Sequence, residues 1–289
     1  MGGRPGHRQP IREQPAEDST SMKGLKAAGE LQISGGIYVL NCADDAIHSD
    51  TTITVTGGSF DISTGDDALH AEDTLTVTDC KMNVQTCYEG LEAKKLLIRG
   101  GKMMIRSTDD GLNAAGGNDE SGFTGGRDGM FGGRPGMGGH GMGDSFDGEI
   151  RIDGGELAIW ASGDGMDANG SITVTDGNIY ITNPTPGDTS VIDSETGAQI
   201  TGGTFLGAGA STMMAQSFTA SSTQGVVACT VGNQLPGTPL SLTDVQGNTL
   251  ASFELEYQTV LVILSTPELH KGQTYTLTLG DTSADVQAA

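Results

Sequence analysis

The chain has 289 residues, enough for one elongated domain or two compact ones, each able to bury a core. Its formal charge of -22 and pI near 4.3 argue against nucleic acid as a partner, because such a surface repels phosphate, and they fit cation binding or a well-solvated exported protein. Aromatic residues make up only 4% while glycine numbers 46, a balance that suits many tight turns better than a large aromatic core.

At the N-terminus, "MGGRPGHRQP" carries no signal-peptide pattern and reads as a truncated end, so residues 1–22 are expected to be disordered or truncated. No apolar run approaches the roughly 20 residues of a membrane-spanning helix. The four cysteines, Cys42, Cys80, Cys87 and Cys229, are too few for a disulfide framework in a chain of this length and read as structural thiols.

From Lys23 onward the chain repeats itself. Asp45, Asp67, Glu89 and Asp110 follow one another at intervals of 22, 22 and 21 residues, and Asp164 comes 54 later. Aligning on these acids brings apolar columns into register. One column runs Leu25, Ile47, Leu69, Leu91, Leu112, Met166 and Ile192; another runs Leu31, Ile53, Leu75, Leu96, Ile150 and Ile172. A third, after a turn, holds Tyr38, Phe60, Met82, Met103, Leu157, Ile179 and Phe205. Within each repeat apolar residues alternate with polar ones, as in "TITVTGGSFDIS". This period of two, interrupted at Gly57-Gly58, predicts strand, turn, strand with one buried face. Double glycines recur at Gly35-Gly36, Gly100-Gly101, Gly154-Gly155 and Gly202-Gly203, where a positive φ is expected. A single strand pair cannot bury its face alone, but coils stacked at about 4.8 Å close a continuous core. The expectation is an all-β protein, a parallel β-helix of about seven 22-residue coils over residues 23–210.

Two segments break the pattern. Residues 116–148 are rich in glycine and methionine, aperiodic, and read as a loop inserted at one corner. After Ser211 the repeat stops, and "GTPLSLTDVQGNTLASFELEYQTVLVILSTP" with "QTYTLTLGD" predicts a small antiparallel β cap over residues 211–289. Such a cap would shield the sticky edge of the last coil.

Register gives the acids a geometry. Asp44, Asp66 and Asp109 share one column, and Asp45, Asp67, Glu89, Asp110 and Asp164 the next. Three residues on stand His48, His70, Glu92, Asn113, Asp167 and Asp193. Carboxylates about 5 Å apart repel by roughly 1 kcal/mol in water and several-fold more when partly buried. A ladder of them needs protons or a cation between its rungs. Oxygen donors from neighbouring rungs suit calcium, whereas too few sulfur or imidazole ligands converge for zinc. The station richest in ligands joins Asp67, Glu89, Glu92, Asp109, Asp110 and Asn113, while His48 and His70 read as neutral turn residues. The competing reading is a column of solvated Asx-turns without metal.

Outward positions supply a second candidate site. Lys81 and Lys102 share one column and Arg106 and Trp160 another, with Lys94, Lys95, Arg99 and Arg151 on the same middle coils. A basic strip on an acidic protein fits recognition of uronate carboxylates. Trp160, the only tryptophan, and Tyr180 are expected to face outward and stack on pyranose rings, unless the insertion or the cap covers them.

The stretches "DDAIHSDTTITVTGGSFDI", "YEGLEAKKLLIRGG", "STDDGLNAAGGND" and "SGDGMDANGSITVTDG", with "YQTVLVILSTPELHKGQTYTLTLG" near the end, resemble a bacterial family of secreted carbohydrate-binding proteins. The resemblance covers about residues 20–282. It implies a polysaccharide-lyase-like right-handed β-helix, calcium in the acidic turns, and binding of cellulose and acidic pectin-type chains. It also implies an extracellular or cell-surface location. The expected reading is a monomeric polysaccharide binder that does not cleave its ligand. A calcium-dependent pectate-type lyase, using Lys94 or Lys102 as base, and a purely structural surface or adhesion repeat remain the alternatives.

Overall fold

The computed structural model describes residues 21–114 and 147–289; the expectations for most of the N-terminal segment and for the glycine/methionine-rich insertion lie outside the described residues. Among the described residues every regular element is a strand. Seven coils stack in parallel, and each contributes to three faces. The first face pairs Leu25 with Ile47, Ile47 with Leu69, Leu69 with Leu91, Leu91 with Leu112, and Leu112 with Met166. The second aligns Leu31, Ile53, Leu75, Leu96, Ile150, Ile172 and Ala198. The third aligns Tyr38, Phe60, Met82, Met103, Leu157, Ile179 and Phe205. The columns drawn from the repeat are therefore the rungs of the helix, and from coil two onward their side chains are almost wholly buried in one continuous core.

The strand Glu149–Ala161 restarts the fifth coil after the insertion, with Glu149 opposite Lys95 and Glu156 opposite Lys102. The register of the coil is thus preserved on both sides of residues 115–146.

The double glycines behave differently from the expected strand–turn–strand break. The second glycine of each pair does take positive φ, 118° at Gly58 and 100° at Gly155 for example. Yet single strands run through this corner in four coils, as in Leu31–Cys42 and Thr52–Thr64, with a register irregularity at the bend. The corner is a kink in a continuous strand. Neighbouring backbone explains the residue choice: a Cβ on Gly57 would lie 2.8 Å from the carbonyl oxygen of Ser34, so the close stacking of coils leaves no room for a side chain.

The C-terminal cap forms as expected, with two differences. Residues beyond Ser211 first lay a partial further rung: Phe218 bridges Ala198 in parallel, Thr219 N–H donates to Ala198 O at 2.8 Å, and the Phe218 ring meets Phe205 edge-on. Only then does the chain turn antiparallel. Strand Thr259–Ser265 pairs on one side with Thr204–Gly209 of the last coil and on the other with Val227–Gln234. It occupies an edge that would otherwise offer unpaired backbone groups. The remaining strands, Pro239–Thr243, Thr249–Glu254, Thr274–Leu279 and Thr282–Gln287, form a separate four-stranded antiparallel sheet with its own apolar core around Leu240, Leu242, Leu264 and Leu277.

Candidate functional site

The acids line one corner of the helix, where the third face hands over to the first. Backbone bonds confirm the column: Ala46 N–H donates to Asp67 O, Ala68 N–H to Glu89 O, Gly90 N–H to Asp110 O and Gly111 N–H to Asp164 O. The neighbouring column is equally regular, with His48 opposite His70, His70 opposite Glu92, Glu92 opposite Asn113 and Asn113 opposite Asp167. These side chains turn inward. Asp45 and Asp67 are 0% exposed, Glu89 2% and Asp110 4%, so a surface of freely solvated Asx-turns does not describe the corner.

Several acids bond to the next rung's backbone. Asp45 Oδ1 accepts from Asp67 N–H at 3.3 Å, Asp67 Oδ1 from Glu89 N–H at 3.2 Å, and Asp110 Oδ1 from Asp164 N–H at 2.5 Å. Asp164 Oδ1 accepts in turn from Ser190 N–H. Glu89 instead accepts from Asn113 Nδ2 at 2.8 Å. Each carboxylate thus satisfies an amide at a bend that the parallel ladder alone does not fully serve.

Charge compensation divides the corner into two halves. In the first half the protein supplies its own cations. Lys23, which stands one coil before Asp45 and is 94% covered, binds Asp45 and lies 3.6 Å from Asp44 Oδ1 and 3.2 Å from His48 Nδ1. His48 Nδ1 approaches Asp45 at 2.8 Å and its Nε2 approaches Asp50 at 2.9 Å. Burial alone would raise the Asp45 carboxyl, but the bonds from His48 and Lys23 hold it down at about 2. His70 lies between Asp67, 3.2 Å from Nδ1, and Glu92, 2.7 Å away. Burial disfavours the imidazolium, yet these two acids win and push its pKa up to about 11. His70 is therefore a charged bridge rather than the neutral turn residue expected. Glu92 is lowered: burial acts against ionisation, and His70 more than offsets it. Asp67 is raised well above the ordinary range by burial, despite its bond from His70.

The second half, formed by Glu89, Asp109, Asp110, Asn113, Asp164 and Asp167, is different. Burial first, and then Asp164, Asp167 and Asp109, raise Asp110 well above the usual carboxylate range. Burial and neighbouring acids raise Glu89 likewise. Asp164 is pushed up to about 7, mainly by burial. Among the described residues no ion pair reaches Asp109, Asp110 or Asp164. Space has been kept beside them: a Cβ on Gly163 would fall 2.3 Å from Asp110 Oδ1 and 2.4 Å from Asp109 Oδ1. These are oxygen donors of the kind that a hard cation such as calcium takes, though among the described residues no three of these acids bring their oxygens within 4.8 Å of one another.

The tightest groups of potential ligands differ from the expected station. They are Asp44 with Asp45 and Asp66, Asp45 with His48 and His70, and Asp67 with His70 and Glu92, each with its donor atoms within 4.8 Å of one another. Imidazole nitrogens do converge with carboxylates here, contrary to the expectation that few would. Glu89 and Glu92, expected to reach a common ion, turn to different partners, Asn113 and His70.

Of the outward basic residues, Lys81, Lys102 and Arg106 lie on the third face, while Arg151 lies on the second and Lys94 at its start. Lys81 and Lys102 are exposed and directly in register. The strip is more self-paired than its composition suggested: Lys102 Nζ lies 2.5 Å from Glu156 Oε2 on the next coil, Lys94 Nζ 2.5 Å from Asp147, and Arg151 2.7 Å from Asp153. Such exposed pairs are weak and exchange readily with a ligand carboxylate. Lys102 and Glu156 also border a shallow trench of about 500 Å³ along the glycine corner, with Asp79, Asp176 and Asn178 on its walls.

Trp160 and Tyr180 do not form an open stacking platform. Trp160 is half-buried, with the Arg106 guanidinium 4.2 Å above its ring and its indole N–H donating to Glu256 at 2.7 Å. Tyr180 meets Trp160 edge-on at 6.1 Å and Phe253 of the cap at 5.8 Å. The cap is what covers them. The four cysteines are all free thiols, in line with the sequence reading.

Coils, acid corner and cap together define, among the described residues, an all-β solenoid with buried carboxylates along one corner and long outward faces. Residues 6–68 and 66–235 match the model of the carbohydrate-binding domain-containing protein family, and the chain belongs to that family. No curated protein and no solved structure matches it.

Proposed function

We propose that this protein is an exported, calcium-stabilised β-helix that binds plant cell-wall polysaccharide, acidic pectin-type chains or cellulose, without cleaving it. Membership of a carbohydrate-binding family is the observation that carries the reading. The ligand is held on the third face, where exposed Lys81 and Lys102 repeat at the coil spacing beside the glycine-corner trench. A rigid ladder of about 4.8 Å presents such groups at a step close to the length of one sugar in an extended chain. Arg106, Trp160 and Tyr180 hold the cap against this face and set its boundary.

Calcium is assigned to the second half of the acid corner, with Asp109, Asp110, Asp164 and Asp167 as ligands and Glu89 and Asn113 at its edge. What supports this is the mutual upward pressure on Asp110 and Asp164, the space kept by Gly163, and the lack of any described ion pair to Asp109, Asp110 or Asp164. An ion there neutralises the stack and contributes to folding by mass action. Its role is structural. The acids are buried and on a different corner from Lys102, so such an ion cannot touch a uronate bound beside that lysine. This separation weighs against a pectate-lyase mechanism, which needs cation, uronate and base in one cleft.

Depletion of the protein from solution by insoluble cellulose and by immobilised polygalacturonate tests the reading. Retention on at least one, with no unsaturated uronate formed, supports it. Retention on neither removes the proposed ligand class, and steady release of unsaturated product replaces binder with lyase.

A further inference from the structure

The Asp67, His70 and Glu92 cluster has one contact that a network of hydrogen bonds alone leaves unexplained. His70 directs its Nδ1 hydrogen at Asp67 Oδ2, 3.2 Å away. Glu92 Oε2 nevertheless sits 2.7 Å from the same nitrogen. That oxygen is buried and has no hydrogen-bond partner. The glutamate is 6% exposed and the histidine 0%, so water does not relieve the contact from outside. The single Nδ1 hydrogen aimed at Asp67 cannot also serve Glu92, so this buried oxygen has the imidazolium's charge beside it but no hydrogen bond to complete the contact.

From this geometry we infer that Asp67, His70 and Glu92 form a binding site for a single borderline divalent metal ion of the zinc and cobalt class. The donor set is one imidazole nitrogen and two carboxylate oxygens, which suits such ions better than calcium. With metal–ligand bonds of about 2.0–2.2 Å, neighbouring ligands in a tetrahedral or octahedral site stand on the order of 3.0–3.5 Å apart. The observed 2.7 and 3.2 Å separations are close to that range with the donors already converging on one point. One donor is also held from behind: Asp67 Oδ1 is tied by Glu89 N–H at 3.2 Å. His70 Nε2, on the ring's far side, is buried without a hydrogen-bond partner, and Glu72 Oε1 stands 3.9 Å from it. Ion entry releases the Nδ1 proton to solvent, since only the neutral imidazole can ligate.

This site is separate from the calcium assigned around Asp110 and does not depend on it. The test uses full-length protein stripped with chelator, returned to excess calcium, and titrated with Co²⁺ as a spectroscopic probe. The inference predicts one bound ion per chain with a visible ligand-field band, displaced by Zn²⁺, and a rise in melting temperature. His70→Gln should weaken Co²⁺ binding about tenfold or more, whereas Asp110→Asn should leave it intact. Should His70→Gln fail to fold, X-ray absorption of the wild-type Co²⁺ complex decides, because one imidazole must appear in its coordination shell. Absence of Co²⁺ binding to wild type, equal binding by a folded His70→Gln variant, or a shell without imidazole would each overturn the inference. The cluster would then be a proton-linked salt bridge only.

Discussion

Asp67 Oδ1 accepts the backbone N–H of Glu89, one coil further along the helix, at 3.2 Å. Asp45, Asp110 and Asp164 make the same bond to the rung that follows them. An aspartate is short enough to give one oxygen to the next coil's amide while the other turns to a neighbour such as His48 or His70, so the repeat keeps this residue type where the helix turns its acid corner. The carboxylates stitch coils together, and their charge is the cost of that stitching.

Separating the bond from the charge gives the first prediction. Asp110→Asn keeps an oxygen acceptor for Asp164 N–H and removes the charge, whereas Asp110→Ala orphans a buried amide at a cost of about 1–3 kcal/mol. In calcium-free protein the alanine variant should unfold at lower denaturant than wild type, and the asparagine variant should not. Equal losses for the two variants in urea melts would show that the amide bond contributes nothing.

Lys23 anchors the other end of the ladder. Removing it in Lys23→Ala leaves buried Asp45 with only the imidazoles of His48 and His70 near it, and breaking a buried pair in this way costs about 3–5 kcal/mol. Because the Asp45 pKa falls from the ordinary 3.8 to about 2 on folding, its contribution is complete above pH 4 and disappears as pH drops through 2. The stability gap between wild type and variant should therefore be large at pH 7 and close toward pH 2. A gap independent of pH would mean that packing of the lysine stem, not its charge, is what the variant loses.

Asp164 carries the opposite sign. Its pKa rises from 3.8 to about 7 on folding, so the native state holds the proton more tightly. Stability from this group is present below pH 4 and is lost as pH rises through 7, by up to about 4 kcal/mol in the absence of a metal. Calcium should replace the proton and flatten this decline. Melting curves in chelator ought to worsen from pH 4 to pH 7, and added calcium ought to restore the pH 7 value. Identical curves with and without calcium across that range would refute the metal assignment.

Much of the fold was legible because a solenoid writes its register into its sequence. The column Leu31, Ile53, Leu75, Leu96, Ile150 and Ile172 could be read directly, since every rung must place an apolar side chain at the same point of one core. The acid columns were legible for the same reason. Lys23 lies 22 residues before Asp45 and completes the same column, but a column of like residues does not announce the opposite charge at its end. The role of His70 was hidden as well: its charge depends on Glu92 standing on the next coil, and a sequence gives the column but not which atoms meet. Trp160 faces outward by parity, as its position after Ile159 implied, but its indole is met by Glu256, almost a hundred residues away, and Tyr180 beside it by Phe253. Contacts made by the cap obey no repeat.

On the third face, Lys81, Lys102 and Arg106 should act together on acidic chains. Each exposed pair contributes about 0–1 kcal/mol, so retention on polygalacturonate must come from several and must weaken with salt. The triple change to alanine should reduce pectate retention while sparing most cellulose retention. Loss of both to the same degree would point instead to a disturbed cap, since Arg106 packs on Trp160, and the melting temperature of the variant distinguishes the two.

The central claim is binding without cleavage, and one measurement addresses it most directly. Calcium-loaded protein is incubated with soluble polygalacturonate in an affinity gel, and the same mixture is followed for ultraviolet absorbance of unsaturated uronate. The account predicts retarded migration that increases with polymer concentration and an absorbance that stays flat. Migration unchanged by polygalacturonate and by a cellulose derivative, or a calcium-dependent rise in absorbance lost in Lys102→Ala, would contradict it.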